Sequence, residues 1–221
     1  MDTLTPLLKK SKYVQETEIP ALQNGDHLTR VEFERRYAAH PHIKKAELIE
    51  GVVYVPSPVS LLHSRLHAVV IGWLLNYCAA TPGLRLLDNA TVILDAENEV
   101  QPDAALCIID GGQTRPVGSY LHGAPELVVE IAGSSAAYDL HEKMRVYRRT
   151  GVLEYVIMLA LEGDTQWYRL NEGQYELVAA DESGTIRSAI FPGLYFHPDR
   201  FWADDLSGLL KVLQTDLSTS E

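Results

Sequence analysis

The sequence predicts an α/β domain: a mixed β-sheet flanked by helices, with further short strands towards the C-terminus. Three observations carry this expectation. Pro125-Glu126-Leu127-Val128-Val129-Glu130-Ile131-Ala132 is almost wholly apolar between Gly123 and Gly133, the pattern of a strand buried on both faces. A second apolar run, Val152 to Ala160, follows a helical segment from about Tyr138 to Thr150, so the two strands should be parallel with the helix crossing over between them. A long helix, roughly Leu61 to Ala80, sets Leu62, Leu66, Val69, Val70, Trp73, Leu74 and Tyr77 at helical spacing.

The remaining elements follow in chain order. Met1 to Gly25 is polar and reads as a flexible N-terminal arm, taken to residue 26. Thr29-Arg30-Val31-Glu32 has capping-box spacing and starts a helix over Arg30 to Ala39, packed through Val31, Phe33 and Tyr37 and ended before Pro41. Glu47-Leu48-Ile49 and Val52 to Val55, split by Gly51, form a hairpin or bent strand; Ser57 or Ser60 caps the long helix, and Pro82-Gly83 ends it. Leu84 to Leu94 and Val100 to Ile109 form a hairpin around the polar turn Asp95 to Glu99. Asp110 to Gly123 is a glycine-rich loop, Gly133-Ser134-Ser135 opens the crossover helix, and Gly151 ends it. Strands over Thr165 to Leu170, Gln174 to Ala179 and Thr185 to Ile190 lead to a final helix over Asp199 to Val212. An acidic tail, residues 214–221, follows the single domain of residues 27–213.

With 221 residues, 46% hydrophobic and 22% charged, the chain is long enough for a substantial core and ordinary enough in composition to exclude disorder and fibrous classes. No apolar run approaches the ~20 residues of a membrane span, and Met1 to Pro20 lacks the apolar centre of a secretory signal. Cys78 and Cys107 lie inside apolar segments with no zinc-site spacing, which reads as buried, reduced thiols in a cytoplasmic protein. The net charge of −11 excludes a generally basic surface, so any nucleic-acid role must rest on a local patch or on metal ions.

The chemistry begins at Glu130. An ionised carboxylate in such a strand costs several kcal/mol unless it is paired, hydrogen-bonded or holding a metal. Period-two geometry puts Glu126, Val128, Glu130 and Ala132 on one face and Leu127, Val129 and Ile131 on the other. Asp103, after Pro102, enters the preceding apolar run up to Ile108, and two carboxylates on neighbouring buried strands repel unless a cation lies between them. An oxygen-ligated divalent metal meets that need. Lys143 is a second cation: it borders the apolar stripe Leu140, Met144 and Tyr147 of its helix. His63 and His67 stand at i, i+4 on the long helix, but without a His-Glu-x-x-His motif a zinc-protease reading fails; Ser134-Ser135 lacks a nucleophile elbow, and helix capping accounts for it. Each candidate also has a bland role: a turn for Asp103, an arginine pair for Glu130, a solvated helix lysine for Lys143, an outward strand position for Glu47.

Pro102-Asp103 followed by Glu-Leu-Val-Val-Glu-Ile at 126–131 resembles the signature of the PD-(D/E)xK nuclease superfamily. Asp139-x-x-x-Lys143-x-x-x-Tyr147-x-x-x-Gly151-Val152-x-Glu154-Tyr155 resembles its Uma branch, grouped as restriction endonucleases. Glu47-Leu48-Ile49-Glu50-Gly51, then Ser57-Pro58 and His63, fit the same branch, so the similarity runs from about Glu47 to Leu159. The resemblance implies a restriction-endonuclease-like core, DNA as substrate, and Mg²⁺, with Mn²⁺ as a substitute, held by Asp103, Glu130 and Glu47. The superfamily lysine normally stands two residues after the second acid. Ala132 occupies that place here, and the Uma branch takes its lysine from the following helix, which points to Lys143. His63 is the expected phosphate contact or proton-transfer group.

Arg145, Arg148 and Arg149 cluster with Lys143 on one helix, either as a solvated face or as the phosphate-gripping patch that the net charge otherwise fails to supply. Phe201, Trp202, Leu206, Leu209, Leu210 and Leu213 make the C-terminal segment amphipathic, fit to cover the sheet or a homodimer partner. The expected function is a metal-dependent endonuclease hydrolysing DNA phosphodiesters. The alternatives are a catalytically inactive binding module on the same fold and a metal-dependent hydrolase of a small phosphodiester or nucleotide.

Overall fold

Two six-stranded sheets face each other across a shared apolar layer in the computed structural model, which describes residues 18–56, 58–133 and 139–217. The first sheet is built of very short strands: β1 (Glu47–Ile49), β2 (Val52–Tyr54), β4 (Val92–Ile93), β5 (Glu99–Val100), β7 (Arg115–Val117) and β8 (Tyr120–His122), in the order β2-β1-β5-β4-β8-β7. The second comprises β3 (Leu84–Asp88), β6 (Ala104–Ile108), β9 (Leu127–Ala132), β10 (Glu154–Leu159), β11 (Asp164–Asn171) and β12 (Gln174–Leu177), in the order β12-β11-β10-β9-β6-β3. A separate pair, β13 (Ile186–Arg187) and β14 (Tyr195–Phe196), follows. The helices are α1 (Arg30–Ala39), α2 (Leu61–Ala80), α3 (Met144–Thr150, entered through a π-turn at Asp139–Lys143), α4 (Pro198–Trp202) and α5 (Leu206–Leu217).

β9 and β10 are parallel, with Glu130 opposite Ile157, and α3 lies in the crossover as expected. The period-two division of β9 is realised. Leu127, Val129 and Ile131 pack with Leu66, Val70 and Trp73 of α2 and with Phe201, Leu209 and Leu213 of α4 and α5. Val128 and Ala132 face Ile49, Val92, Val100 and Leu121 of the first sheet and Val146 and Tyr147 of α3. The amphipathic C-terminal segment therefore covers the second sheet.

The hairpin β1–β2 turns on Glu50 (φ 50°) and Gly51 (φ 76°), the double positive-φ pattern of a type I′ turn. Ser60 caps α2, its side chain accepting from the His63 N–H at 3.1 Å; Ser57 and Ser134-Ser135 lie outside the described residues, as does Tyr138. Thr29 caps α1, but Glu32 does not complete the box; it pairs with Arg35 and Arg36 instead. Val31 is 73% exposed, against expectation, because it stands two residues from Phe33 and so faces away from the contact with Leu48 and Val53. Residues 18–26, expected within the arm, run along β2: the Gly25 N–H donates to the Val53 carbonyl at 2.8 Å and Leu22 is buried.

Four further expectations need correction. The segments Leu84–Leu94 and Val100–Ile109 do pair, but their outer halves (β3 with β6) belong to the second sheet and their inner halves (β4 with β5) to the first, so the chain changes sheets at residues 89–91 and 101–103. The glycine-rich loop contains the hairpin β7–β8. Thr185–Ile190 supplies only the two residues of β13. The final helix is two: Asp204 adopts φ 62° and Asp205 caps a fresh start, its carboxylate accepting the Gly208 N–H at 2.8 Å. No helix among the described residues is long and apolar enough to cross a membrane. Cys107 is buried, which pushes its thiol up to about 11, and Cys78 is partly buried; both are free.

Candidate active site

Asp103 sits where the chain crosses from the first sheet to the second. The β6–β9 register ends at Ala104 opposite Val129, and one further antiparallel step sets Asp103 beside Glu130. Its Oδ2 accepts the Ile131 N–H at 2.8 Å, while its Oδ1 lies 3.4 Å from His63 Nε2 and 3.5 Å from Lys45 Nζ. Burial works against an ionised Asp103. The His63 hydrogen bond, the Lys45 charge and the Ile131 N–H outweigh it and hold the carboxyl well below the usual carboxylate range. The same hydrogen bond pushes the His63 imidazole up, against the effect of its own partial burial. His67, on the next turn of α2, donates through Nε2 to the Asp103 carbonyl at 2.9 Å and fixes the backbone there.

Glu47 opens β1 on the inner face of the first sheet. Its Oε1 accepts the Gln101 N–H at 2.7 Å, which ties it to the same sheet-switching segment. Lys143 closes the group. Its Nζ is 2.8 Å from Glu130 Oε1 and 3.0 Å from Glu47 Oε2, and the lysine is 3% exposed. The Tyr147 hydroxyl, one turn later on α3, donates to Glu130 Oε1 at 2.8 Å. Burial and the Glu130 charge push that phenol well above its ordinary value, so it serves as a neutral donor. One ammonium thus bridges a carboxylate from each sheet. Gross attraction at ~4 Å is about 4 kcal/mol for an effective dielectric near 20, enough to offset much of the several kcal/mol each ion loses on burial.

All five residues expected at the site, Glu47, His63, Asp103, Glu130 and Lys143, come together here. Three carboxylates supply hard oxygen donors, the ligand type of Mg²⁺ or Mn²⁺, so the donor chemistry fits such an ion. Among the described residues no set of three His, Cys, Asp or Glu side chains forms a ready metal cluster, and the Lys143 ammonium stands between Glu47 and Glu130. The expected nucleic-acid contacts lie on the outside of α3 and are engaged: Arg145 with Glu50 and Glu142, Arg148 with Gln174 at 2.5 Å, Arg149 with Asp95 at 3.3 Å.

Sequence reasoning missed Tyr147 and Lys45 as members of the site. The signal for Tyr147 was its place four residues after Lys143, which puts both on one helical face. Lys45 stands before β1, where no periodicity fixes its direction.

The chain matches the sequence model of the Uma2 family, described as "Putative restriction endonuclease", over residues 30–199. No curated protein matches it significantly. A solved structure, that of a putative nuclease belonging to DUF820 from Anabaena variabilis, aligns with a TM-score of 0.59 at 13% identity, covering 72% of this chain and 89% of that one. This likeness shows a shared fold. The family match spans the segment that carries Glu47, His63, Asp103, Glu130 and Lys143, and on it the chain belongs to the Uma2 family.

Proposed function

We propose that this protein is a metal-dependent DNA endonuclease whose centre is Glu47, Asp103, Glu130 and Lys143, with His63 beside them. The observation that carries the reading is the buried Lys143 ammonium, within 3.0 Å of both Glu47 and Glu130 although it comes from the helix rather than from β9. Asp103, Glu130 and Glu47 would hold Mg²⁺, which when bound supplies Lewis acidity to the phosphate and to an attacking water. Lys143 orients that water or offsets the charge developing on the phosphate oxygens. His63, kept protonated further up the pH scale by Asp103, donates to a phosphate oxygen or to the leaving alkoxide. Tyr147 holds Glu130 in place, and His67 holds the Asp103 backbone.

Arg145, Arg148 and Arg149 flank this centre as DNA contacts, and Arg148, whose partner Gln174 is neutral, is the one with charge to spare. Arg148→Glu should then weaken DNA binding and lower its salt slope by about one unit; an unaltered slope would remove the patch. Mg²⁺-dependent nicking of plasmid DNA tests the centre itself. Asp103→Asn, Glu130→Gln and Lys143→Met should each abolish nicking, and full activity in the first two would end the assignment. The carboxylate pairing of Arg145 and Arg149, in a chain of net charge −11, favours a second reading as a hydrolase of small phosphodiesters. Competition between plasmid DNA and a small phosphodiester separates the two.

A further inference from the structure

One row of side chains crosses the outer face of the first sheet. Leu48 stands opposite Glu99, Glu99 opposite Ile93, Ile93 opposite His122, and His122 opposite Arg115. Residues opposite one another project from the same face. Leu48 clusters with Phe33 of α1, so this is the face that α1 covers; Glu47, its neighbour in β1, projects the other way to Lys143. Beyond buried Ile93, the His122 and Arg115 end of the row stays open. Arg30, the first residue of α1, closes it into a pocket of about 360 Å³ rimmed by Asp95 and Ala96.

The charges in this pocket are unevenly satisfied. Arg30 spends one terminal nitrogen on Glu34, and its buried Nε has no hydrogen-bond partner. Beyond the strand ladder, the Arg115 and His122 side chains have no hydrogen-bond or ion-pair partner among the described residues. Asp95 is the one acid among the described residues of the lining, and both its oxygens are engaged: Oδ1 accepts from the Glu97 N–H and the Asn98 amide, and Oδ2 lies beside Arg149. Two arginines and a histidine therefore line one pocket together with apolar Ile93, Leu94 and Ala96, in a chain whose net charge is −11.

We propose that this pocket binds a phosphate monoester of nucleotide size, with the phosphate on Arg30, Arg115 and His122 and the organic part over Ile93 and Ala96. Guanidinium forks match phosphate oxygens, and the volume lies within the ~300–1,000 Å³ of small-ligand sites. The site is on the opposite face of the sheet from Glu47, so it is independent of the catalytic reading. Its ligand is either a free nucleotide or the phosphorylated end of a DNA strand.

Isothermal titration of the full chain, alone and as Asp103→Asn, with deoxyadenosine monophosphate, deoxyadenosine and short oligonucleotides with and without a terminal phosphate tests this. Phosphate-bearing probes should bind and deoxyadenosine should not, and Arg115→Ala combined with His122→Ala should weaken binding at least about 10-fold while circular dichroism stays unchanged. Binding confined to the phosphorylated oligonucleotide would support the site and identify a strand end as the source. No binding of any phosphate-bearing probe, or equal binding by the double variant, would overturn the proposal. Loss of binding in Asp103→Asn would also overturn it, by placing the ligand at the catalytic carboxylates. A protein without nuclease activity would leave these outcomes unaffected.

Discussion

Lys143 carries two obligations that pull in different directions. It neutralises Glu47 and Glu130 in a place almost closed to water, and it stands where a divalent ion would meet the same carboxylates. Lys143→Met keeps the length of the side chain and removes the charge, which leaves two buried carboxylates facing each other. A loss of about 3–5 kcal/mol in urea unfolding is expected, the usual cost of breaking a buried pair from one side. Because Mg²⁺ or Mn²⁺ would then replace the missing cation, either ion should raise the melting temperature of the variant more than that of the parent protein. An equal or smaller rise would argue that Glu47 and Glu130 do not ligate metal. Tyr147→Phe is a milder change: the phenol donates one hydrogen bond to Glu130, so about 1.5–3 kcal/mol should go, with Lys143 still in place. That second loss is measurable by the same unfolding and should be non-additive with the first, since both act on Glu130.

Elements succeed here where they are long or doubly constrained. β9, β10, α1 and α2 were all legible, because a run buried on both faces and a twenty-residue apolar helix leave few alternatives. In the first sheet only the β1–β2 hairpin around Gly51 was; elsewhere strands of two or three residues carry no usable periodicity, and their pairing is set by partners far along the chain. The break between α4 and α5 escaped for a different reason: apolar spacing continues from Phe201 to Leu213 across it, and only the cap formed by Asp205 announces it. The loop after β6 shows the same dependence on distant groups. Buried Glu126, at the start of β9, accepts the Ile108 N–H at 2.9 Å and the Gln113 N–H at 2.6 Å, pinning both ends of the turn. Gly112 lies inside it, and a Cβ there would fall 2.1 Å from the Ile108 carbonyl oxygen. Gly112→Ala should therefore cost about 1–3 kcal/mol as the turn shifts. At roughly 2–4 °C per kcal/mol for a chain of this size, differential scanning calorimetry will read it.

At the scale of the whole molecule Asp103 and Glu130 could be named as candidates because each is a carboxylate entering an apolar strand, and Glu47, His63 and Lys143 were expected beside them from the resemblance, whereas Lys45, which answers Asp103 from another layer, needed the fold. The same asymmetry governs stability against pH. Glu99 is 2% exposed between α1 and the first sheet, and burial, then the charge of Glu34 and a hydrogen bond with it, push its carboxyl from 4.5 up to about 7, with Arg30 opposing. An acid raised in this way keeps its proton in the folded state after the unfolded chain has released it. Stability therefore falls as pH rises from about 4.5 to about 7, then levels off. Asp103 acts in the opposite sense and in a separate window: its depressed carboxyl stabilises the fold above its ordinary value of 3.8, and that contribution is lost as pH falls below it. Glu99→Gln should remove the downward slope between pH 5 and 7 and leave the protein more stable than its parent at pH 8. The gain should be on the order of 1 kcal/mol once solvent screening is allowed for. Urea unfolding of both proteins at unit pH intervals isolates the effect, because every other titrating group is common to the two. Parallel profiles would mean that Glu99 is already ionised in the folded protein and that Arg30, rather than a retained proton, answers its charge.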